Sequence, residues 1–330
     1  MSGERHPFHE WIQLEQPRLG TRVTYASDEF FAAKERLIQP EAPVFIPDKY
    51  DEHGKWMDGW ESRRMRVPGN DYCIVRLGVP GVLRGVEIDT SHFTGNYPPQ
   101  ASLEACVSED DVPAGGWETI VETTDLGPDA RHFFEIGNDA VWTHVRLNIY
   151  PDGGVARLRL FGVVRPKLGT FGVTTDLLAL ENGGRATACS DEHFGSMHNL
   201  NAPGRGFNMG DGWETARRRG PGNDWVIFEL GSPGVISHVE LDTAHFKGNY
   251  PDRASIEAAY FEDAAEAVND SGAWKTLLAE TKLEADNLHV FEDVLADIGP
   301  VSHVRLSIFP DGGVSRLRLF GHVALQAPDS

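Results

Sequence analysis

Acidic residues and histidines that could transfer protons lie in short polar segments, and each segment occurs twice along the chain. Glu61 ends an Asp-Gly-Trp-Glu segment, and Asp89 stands three residues before His92. The same residue types return at the same spacing in the second half. Carboxylic acids and imidazoles are the usual general acids and bases of enzymes. The candidate catalytic residues are Glu61, Asp89, His92, Glu214, Asp242 and His245.

Side chains that could hold a small polar ligand accompany these groups. Arginine offers a planar fork of donors that matches a carboxylate, and asparagine offers both a donor and an acceptor to an amide. The second half has the more cationic loops, because Lys247 replaces Thr94 and Arg218 replaces Met65. We therefore expect the better anion site there. The candidate substrate-binding residues are Arg64, Asn70, Asn96, Tyr97, Arg157, Arg217, Asn223, Lys247, Asn249, Tyr250 and Arg316.

Covalent catalysis is not indicated by any motif. The chain has no nucleotide fingerprint and no Gly-x-Ser-x-Gly segment. Cys73, Cys106 and Cys189 do not match between the halves, and their spacing fits neither a zinc site nor a redox pair. We expect them to be reduced and buried. No spacing is diagnostic of a divalent metal, so the sequence leaves the cofactor unknown.

Each candidate also has a purely structural interpretation. Asp58 lies in a turn-forming sequence, where an aspartate side chain often bonds to its own backbone. Arg157 could pair across a sheet with Glu87 or Asp89, which would contribute about 0 to 1 kcal/mol. The imidazole of His92 could lock a loop instead of moving a proton. Residue types alone do not choose between these interpretations.

The motifs recur because the chain contains two copies of one unit. HVRLNIYPDGGVARLRLFG at 144–162 returns as HVRLSIFPDGGVSRLRLFG at 303–321, with three differences. VEIDTSHFTGNYP at 86–98 returns as VELDTAHFKGNYP at 239–251, again with three differences. The period is far longer than the roughly 20 to 50 residues of a solenoid repeat. Each copy is therefore expected to be a domain with its own core.

The predicted organisation is an N-terminal arm at 1–18, a first repeat at 19–168 and a second repeat at 169–330. The two repeats differ mainly by insertions. The first carries ten additional residues in the Pro-rich stretch 37–55, and the second gains six around 261–272. Surface loops tolerate such insertions best.

Short alternating segments bounded by Gly, Pro, Asn and Asp predict antiparallel strands in both repeats. Val86 and Ile88 should face a core, with the acidic residues between them on the opposite face. Pro151-Asp152-Gly153-Gly154 has the turn chemistry of a hairpin. Short helices are expected at 27–37 and 190–200. This pattern predicts an all-β protein of two jelly-roll β-sandwiches, whose end loops come together.

Charge and hydropathy restrict the partners and the location. The formal net charge is −20, so long-range repulsion opposes binding to nucleic acid and to anionic membranes. No apolar run in the sequence has the length of a signal peptide or of a membrane span. We therefore expect a cytoplasmic protein that binds a small molecule and has neither nucleic acid nor a membrane as partner. We also expect a homo-oligomer.

Three segments carry a family resemblance: GKWMDGWESRRMRVPGNDYCIVRLG, VELDTAHFKGNYP and RLNIYPDGGVARLRLFG. Through them the chain resembles allantoicase, the purine-catabolism enzyme that releases urea from allantoate. The similarity extends from about residue 19 to 324 and implies two jelly-roll, galactose-binding-like repeats. Tyr72 stands where the second copy has Trp225, and Asn70 where first copies of the family often have His.

The resemblance implies an amidine hydrolase that cleaves a linear C–N bond and converts allantoate to ureidoglycolate and urea. The carbon that is attacked bears a second ureido nitrogen, whose lone pair can help to expel the first, so no covalent nucleophile is required. Such a site needs an acid for the departing nitrogen, a base for water and a cation for the carboxylate. Glu61 and Glu214, or Asp89 and Asp242, are then the expected acid and base.

A non-catalytic alternative belongs to a different functional class. Tandem jelly rolls also serve as carbohydrate-binding proteins, because one architecture hosts many functions. Most extracellular glycan binders carry a secretion signal and disulfides, and the sequence indicates neither. Release of urea from allantoate by the purified protein would separate the two alternatives.

Overall fold

A computed structural model of the protein divides into two compact units, Met1–Pro166 and Lys167–Ser330. The predicted boundary between residues 168 and 169 lies outside the described residues. Almost all regular structure in both units is β-strand, so the predicted all-β class is confirmed. The residues that the structure describes are 8, 10–165, 173–262, 264–269 and 272–324.

The first unit is built from short strands around one long strand. Short 3-10 helices lie at Pro17–Leu19 and Lys34–Ile38. Its strands are β1 (Ile12–Gln13), β2 (Arg22–Ala26), β3 (Tyr50–Asp51), β4 (Gly54–Lys55), β5 (Trp60–Glu61), β6 (Asp71–Asp89), β7 (Gln100–Cys106), β8 (Glu118–Asp125), β9 (Arg131–Glu135), β10 (Val141–Tyr150), β11 (Gly154–Val155) and β12 (Arg157–Val164).

The second unit repeats this plan. Helix α1 (Ala264–Asn269) lies in the six-residue insertion, and 3-10 turns lie at Leu180–Asn182, Met197–Asn199 and Met209–Asp211. Its strands are β13 (Thr175–Asp176), β14 (Arg185–Cys189), β15 (Trp213–Glu214), β16 (Asp224–Asp242), β17 (Arg253–Ala259), β18 (Lys275–Lys282), β19 (Leu288–Phe291), β20 (Val301–Phe309), β21 (Gly313–Val314) and β22 (Arg316–Val323).

One long strand passes through both sheets of each sandwich. The first half of β6 pairs with β2 and β10, and its second half pairs with β9 and β12. Strands β7 and β8 extend one sheet beyond β10, and β1 extends the other beyond β12. Strand β16 has the same role in the second unit. The predicted pair of jelly-roll sandwiches is therefore confirmed.

Along β6, the side chains predicted to face the core do so. The side chains on the opposite face, however, are not exposed to solvent. Val86 and Ile88 are fully buried. Glu87 and Asp89 are also buried, and Glu87 pairs with Arg131 of the neighbouring strand β9. The structural alternative in which Arg157 pairs with one of these two acids is wrong, and among the described ion pairs the neighbouring Arg159 does not contact them either. Each arginine pairs with an acid from a loop or from the N-terminal segment, Asp58 and Glu15 respectively.

The predicted hairpin at Pro151–Gly154 is wrong. Strands β10 and β12 flank this turn, but β10 pairs with β6 and β7, whereas β12 pairs with β6 and β1. Gly153 has a φ of 144°, and a Cβ on Gly154 would lie 1.9 Å from the ring of Phe93. The turn therefore carries the chain between sheets, and the short β11 pairs with β5 on the way. This pairing fixes the position of Glu61.

The helices expected at 27–37 and 190–200 are reduced to the 3-10 turns Lys34–Ile38 and Met197–Asn199. In the first unit, Asp28 Oδ1 accepts the backbone N–H of Phe30 at 3.1 Å and that of Arg63 at 2.8 Å. These bonds tie the start of the segment to the Asp-Gly-Trp-Glu loop. Aspartate competes in this way with helix formation.

The residues predicted as an N-terminal arm belong in part to the first sandwich. Ile12 and Gln13 pair with Gly162 and Phe161 of β12, and Leu14 is fully buried. A Cβ on Gly81 of β6 would lie 2.6 Å from Leu14 Cδ1. This segment is therefore part of the folded unit.

Glu15 should make the stability of the first unit depend on pH. Burial raises its pKa to about 7, even though Arg159 Nη1 lies 3.5 Å from Oε1. The folded chain therefore keeps a proton that the unfolded chain releases from about pH 4.5 upward. The free energy of unfolding should fall between these pH values by on the order of 3 kcal/mol. Urea denaturation at several pH values should show that Glu15→Gln removes this slope; an unchanged slope would refute the assignment.

Candidate active site

The end loops of the first unit form a cavity of about 480 Å³. Its polar groups come from β5, from the loop that follows β6, from the loop between β8 and β9, and from the inserted stretch 37–55. Three of the predicted site residues, Glu61, His92 and Asn96, come together here. The lining residues are Phe31, Phe45, His53, Gly54, Lys55, Met57, Glu61, His92, Thr94, Asn96 and Asp129.

Glu61 is the buried carboxyl of this cavity. Burial raises its pKa and the charge of Asp51 raises it further, while the hydrogen bond from Asn96 lowers it, and the net direction is upward. Asn96 Nδ2 donates to Glu61 Oε1 at 2.7 Å. Glu61 Oε2 accepts no hydrogen bond from a described residue. Glu61 therefore holds its proton to higher pH than an exposed glutamate, and Oε2 is the oxygen that can donate it.

The backbone holds Glu61 from two sides. Strand β11 pairs with it at Gly154, and Ala32 exchanges two backbone hydrogen bonds with it at 3.2 Å. The neighbouring Trp60 is fully buried, and its indole N–H donates to Asp28 O at 2.8 Å. The carboxyl is therefore presented from a fixed backbone, as a catalytic group requires.

His92 is held in an uncommon conformation. Its φ is 71°, in the left-handed region that costs a non-glycine residue roughly 1 kcal/mol or more. Asp129 Oδ1 stabilises this backbone by accepting the His92 N–H at 2.7 Å. Ring Nε2 lies 3.2 Å from Pro43 O and must donate, because a carbonyl only accepts. The neutral ring then has Nδ1 as its proton acceptor, and Phe45 stacks beside it at 5.7 Å.

The two predicted catalytic aspartates shape the histidine loops. Asp89 Oδ1 accepts the Ser91 N–H at 2.7 Å, and Asp242 Oδ1 accepts the Ala244 N–H at 2.8 Å. Neither lines the cavity that contains Glu61. These contacts favour a positioning role for both aspartates.

Arg157 is buried, with only 1% of its surface exposed. Its Nη2 donates to Asp58 Oδ2 at 2.9 Å, its Nη1 to Asp58 O at 3.0 Å, and its Nε to Glu41 O at 2.9 Å. Arg316 makes the equivalent ion pair with Asp211 Oδ2 at 2.7 Å. Because these donors are engaged, the contacts favour loop anchoring over binding of a substrate carboxylate.

The second unit assembles the same trio in a more open setting. Asn249 Nδ2 donates to Glu214 Oε1. His245 has a φ of 72°, and its N–H donates to Asp286 Oδ1 at 2.7 Å. Glu61 is buried, whereas Glu214 is only half-buried. The second unit also lacks the ten-residue insertion that supplies several walls of the first-unit cavity.

The other predicted binding residues lie elsewhere. Arg64 and Arg217 are exposed. Asn70 Nδ2 donates to the carbonyl of the next residue at 3.1 Å, and Asn223 does the same at 3.0 Å. Lys247 is exposed, 3.8 Å from a loop aspartate. The two tyrosines pack against apolar side chains. The predicted binding residues that do not line the Glu61 cavity are Arg64, Asn70, Tyr97, Arg157, Arg217, Asn223, Lys247, Asn249, Tyr250 and Arg316.

The comparison of the repeats missed Lys55, which lines the cavity. Strands β3 and β4 form a small ribbon inside the inserted stretch, and Lys55 is its last residue. The Nζ atom lies 4.4 Å from the centre of the Phe45 ring. The offset between the two repeats places the insertion in this stretch, but it indicates only a tolerated surface loop. The available signal was the position of Lys55, three residues before the repeated Asp-Gly-Trp-Glu segment.

The described residues offer neither a metal cluster nor an activated thiol. Across these residues, no three or more of His, Cys, Asp and Glu converge as metal ligands would. The three cysteines are free; burial raises the pKa of Cys73 well above its usual range and that of Cys189 to about 11. Thiols with such pKa values are poor nucleophiles at neutral pH. The part of the chain that the structure describes contains no helix long and apolar enough to cross a membrane.

Comparison with known proteins identifies the family. A family model described as the allantoicase repeat matches residues 12–165 and 175–324. The chain belongs to the allantoicase family. It is 54% identical over 320 residues to the probable allantoicase 2 of Burkholderia pseudomallei, covering 95% of each protein. It is likewise 54% identical over 320 residues to the probable allantoicase of Photobacterium profundum, covering 95% of this chain and 97% of that protein.

Solved allantoicase structures share the fold as well. The crystal structure of allantoicase from Saccharomyces cerevisiae matches with a TM-score of 0.80 and 39% identity, covering 94% of this chain and 93% of that one. A second allantoicase structure matches with a TM-score of 0.81 and 40% identity, covering 95% and 94%. The resemblance that the sequence motifs indicated is therefore confirmed over nearly the whole chain.

Proposed function

We propose that this protein is an enzyme that hydrolyses allantoate to ureidoglycolate and urea, and that the reaction takes place in the cavity of the first unit. Membership of the allantoicase family supports the activity. The buried Glu61 carboxyl supports the location, because it has a raised pKa and an unengaged oxygen at the cavity wall. A glycan-binding site would not need such a carboxyl, so the carbohydrate-binding alternative has no comparable support.

Glu61 first acts as the acid. Allantoate carries a carboxylate and two ureido groups on one carbon. Glu61 Oε2 donates a proton to the nitrogen of one ureido group, while the lone pair of the other ureido nitrogen forms a C=N bond. The first C–N bond breaks and urea leaves with that proton. Protonation of the departing nitrogen matters because an unprotonated ureido anion is a poor leaving group.

Glu61 then acts as the base. Water adds to the carbon of the C=N bond, and the ureido nitrogen recovers its lone pair. The water gives one proton back to the Glu61 carboxylate, and Nδ1 of His92 orients this water by accepting a hydrogen bond. One water is consumed, one C–N bond is replaced by a C–O bond, and Glu61 ends protonated as it began.

The remaining cavity groups bind the substrate in this proposal. The Lys55 ammonium pairs with the carboxylate, in place of the arginine expected from the sequence. Asn96 holds Glu61 through its amide nitrogen, so its amide oxygen is available to accept a ureido N–H. Thr94 offers a hydroxyl at the same wall. Asp129 holds the His92 backbone and acts as a positioning residue.

Lys55→Met should weaken substrate binding more than it slows turnover. A hydrogen bond to a charged group contributes roughly 1.5–3 kcal/mol, so KM for allantoate should rise about 10- to 100-fold, with kcat changed much less. Steady-state urea release measures both constants. Lys247→Met is the matched control on the exposed loop of the second unit. An equal rise in KM for both variants would refute the assignment of Lys55.

The activity itself is tested with purified protein, allantoate and an assay for urea, in parallel with and without a chelator. Urea release establishes the hydrolase, and its loss on chelation would show a need for a divalent metal. No urea under any divalent-ion condition would refute the proposal.

We further propose a cytoplasmic homo-oligomer that does not bind nucleic acid. The net charge of −20 supports the last point, and light scattering would test the assembly.

A further inference from the structure

Among the positions at which the two repeats differ, one lies at the start of β9 and of β19. Arg131 of β9 lies opposite Asp89 in the first unit, and Leu288 of β19 lies opposite Asp242 in the second. Arg131 donates from Nε and Nη2 to the two carboxylate oxygens of Glu87, at 2.6 and 2.9 Å. Leucine cannot donate, so the second unit lacks this planar pair of N–H groups.

A cavity of about 310 Å³ lies beside Leu288 in the second unit. We call it the Leu288 cavity. It borders Glu240, the counterpart of Glu87, and Asp242. The sequence change therefore replaces a guanidinium by open space next to a carboxylate. The lining residues are Gly204, Arg205, Glu240, Asp242, Leu288, Arg316 and Arg318.

Glu240 presents one engaged oxygen and one free oxygen. Oε1 lies 3.2 Å from His238 Nε2, and His238 Nδ1 lies 2.5 Å from Glu292 Oε1. Both ring nitrogens of His238 therefore face a carboxylate oxygen, a geometry that an imidazolium satisfies with two N–H donors, and these carboxylates raise its pKa. Oε2 accepts no hydrogen bond from any described residue. A neutral pair of N–H donors suits this oxygen better than a second full cation.

Guanidinium groups with spare donors line the same cavity. Arg205 Nε donates to Asp242 Oδ2 at 3.3 Å, and its side chain is 68% exposed. Arg318 Nη2 donates to Gly204 O at 2.7 Å. Arg318 Nη1 is buried and has no hydrogen-bond partner among the described residues. A carboxylate is the ligand group that would satisfy these donors.

We propose that the Leu288 cavity is a second binding site, specific for a ureido acid. The ureido N–H groups bind Glu240 Oε2, where the first unit places its Arg131 guanidinium, and the carboxylate binds Arg205 and Arg318. The proposal rests on the proposed function only for the origin of the ligand, since the substrate and one product of that reaction are ureido acids.

The test measures binding of N-carbamoylglycine, a ureido acid without the second ureido group, by isothermal titration calorimetry. The parent protein should bind two equivalents per chain, one in each cavity. Leu288→Arg restores the side chain of the first repeat and should remove one equivalent while leaving kcat for allantoate unchanged. Leu288→Ala, the matched control, enlarges the cavity and should retain both equivalents. Leu288 is 44% exposed, so both variants should fold.

Two equivalents in the Leu288→Arg protein would overturn the second site, as would a single equivalent in the parent that Leu288→Arg leaves intact. Guanidinoacetate tests the ligand class: it should bind the Leu288 cavity at least 10-fold more weakly than N-carbamoylglycine, and tighter binding would overturn the ureido assignment. If the parent released no urea, yet Leu288→Arg still removed an equivalent, the proposed function would fail and this site would stand.

Discussion

Glu61→Gln should lower kcat for urea release from allantoate by about 10² to 10⁴, the range that a positioned proton donor contributes. Glutamine keeps the shape and can still accept the hydrogen bond from Asn96, but it cannot donate a proton to the departing nitrogen. In the parent protein, kcat should fall as pH rises through the raised pKa of Glu61, because the protonated form is the active one. Steady-state urea release across a pH series measures both effects.

Glu214→Gln is the matched control, since Asn249 holds Glu214 as Asn96 holds Glu61. Its kcat should stay within about threefold of the parent value, which corresponds to a change in activation free energy of well under about 1.4 kcal/mol. Equal losses in the two variants would mean that both repeats catalyse. Loss in Glu214→Gln alone would move the active site to the second unit.

Arg157→Ala should destabilise the first unit by roughly 3–5 kcal/mol, the cost of breaking a buried ion pair by removing one partner. Asp58 would be left buried without its cation, and Glu41 O would keep only the longer hydrogen bond from Arg159 Nη2 at 3.4 Å. The inserted stretch that walls the cavity is anchored by these bonds. Urea denaturation followed by tryptophan fluorescence measures the free energy of unfolding.

Arg64→Ala is the control for this prediction, because Arg64 is exposed and its removal should change stability by no more than about 0.5 kcal/mol. The alternative expected from the sequence gives the opposite pattern. If Arg157 bound the substrate carboxylate, Arg157→Ala would raise KM with stability unchanged, and the anchoring role would be wrong.

The architecture and part of the cavity followed from the sequence because both are repeated in it. Alternation placed Val86 and Ile88 in the core without knowledge of their partners. The recurring polar loops contained Glu61, His92 and Asn96, which meet in one cavity. These predictions succeeded because periodicity and duplication are local or internal features that a single sequence displays.

Other features depend on contacts between distant segments, which a sequence does not display. Turn chemistry at Pro151–Gly154 is local, but β10 and β12 do not pair with each other because each pairs with the distant strand β6. In a sequence, an arginine that anchors a loop, as Arg157 does through Asp58, cannot be distinguished from an arginine that binds a ligand. Comparison of the repeats does not indicate Lys55, because Lys55 lies in an insertion and such a comparison favours residues that both repeats contain.

The central claim is that allantoate reacts in the cavity of the first unit, and the most direct test is the crystal structure of the Glu61→Gln protein with allantoate bound. We expect the carboxylate of allantoate within ion-pair distance of Lys55 Nζ and a ureido nitrogen facing the substituted side chain. Allantoate bound only in the second unit, with the first-unit cavity empty, would contradict the claim.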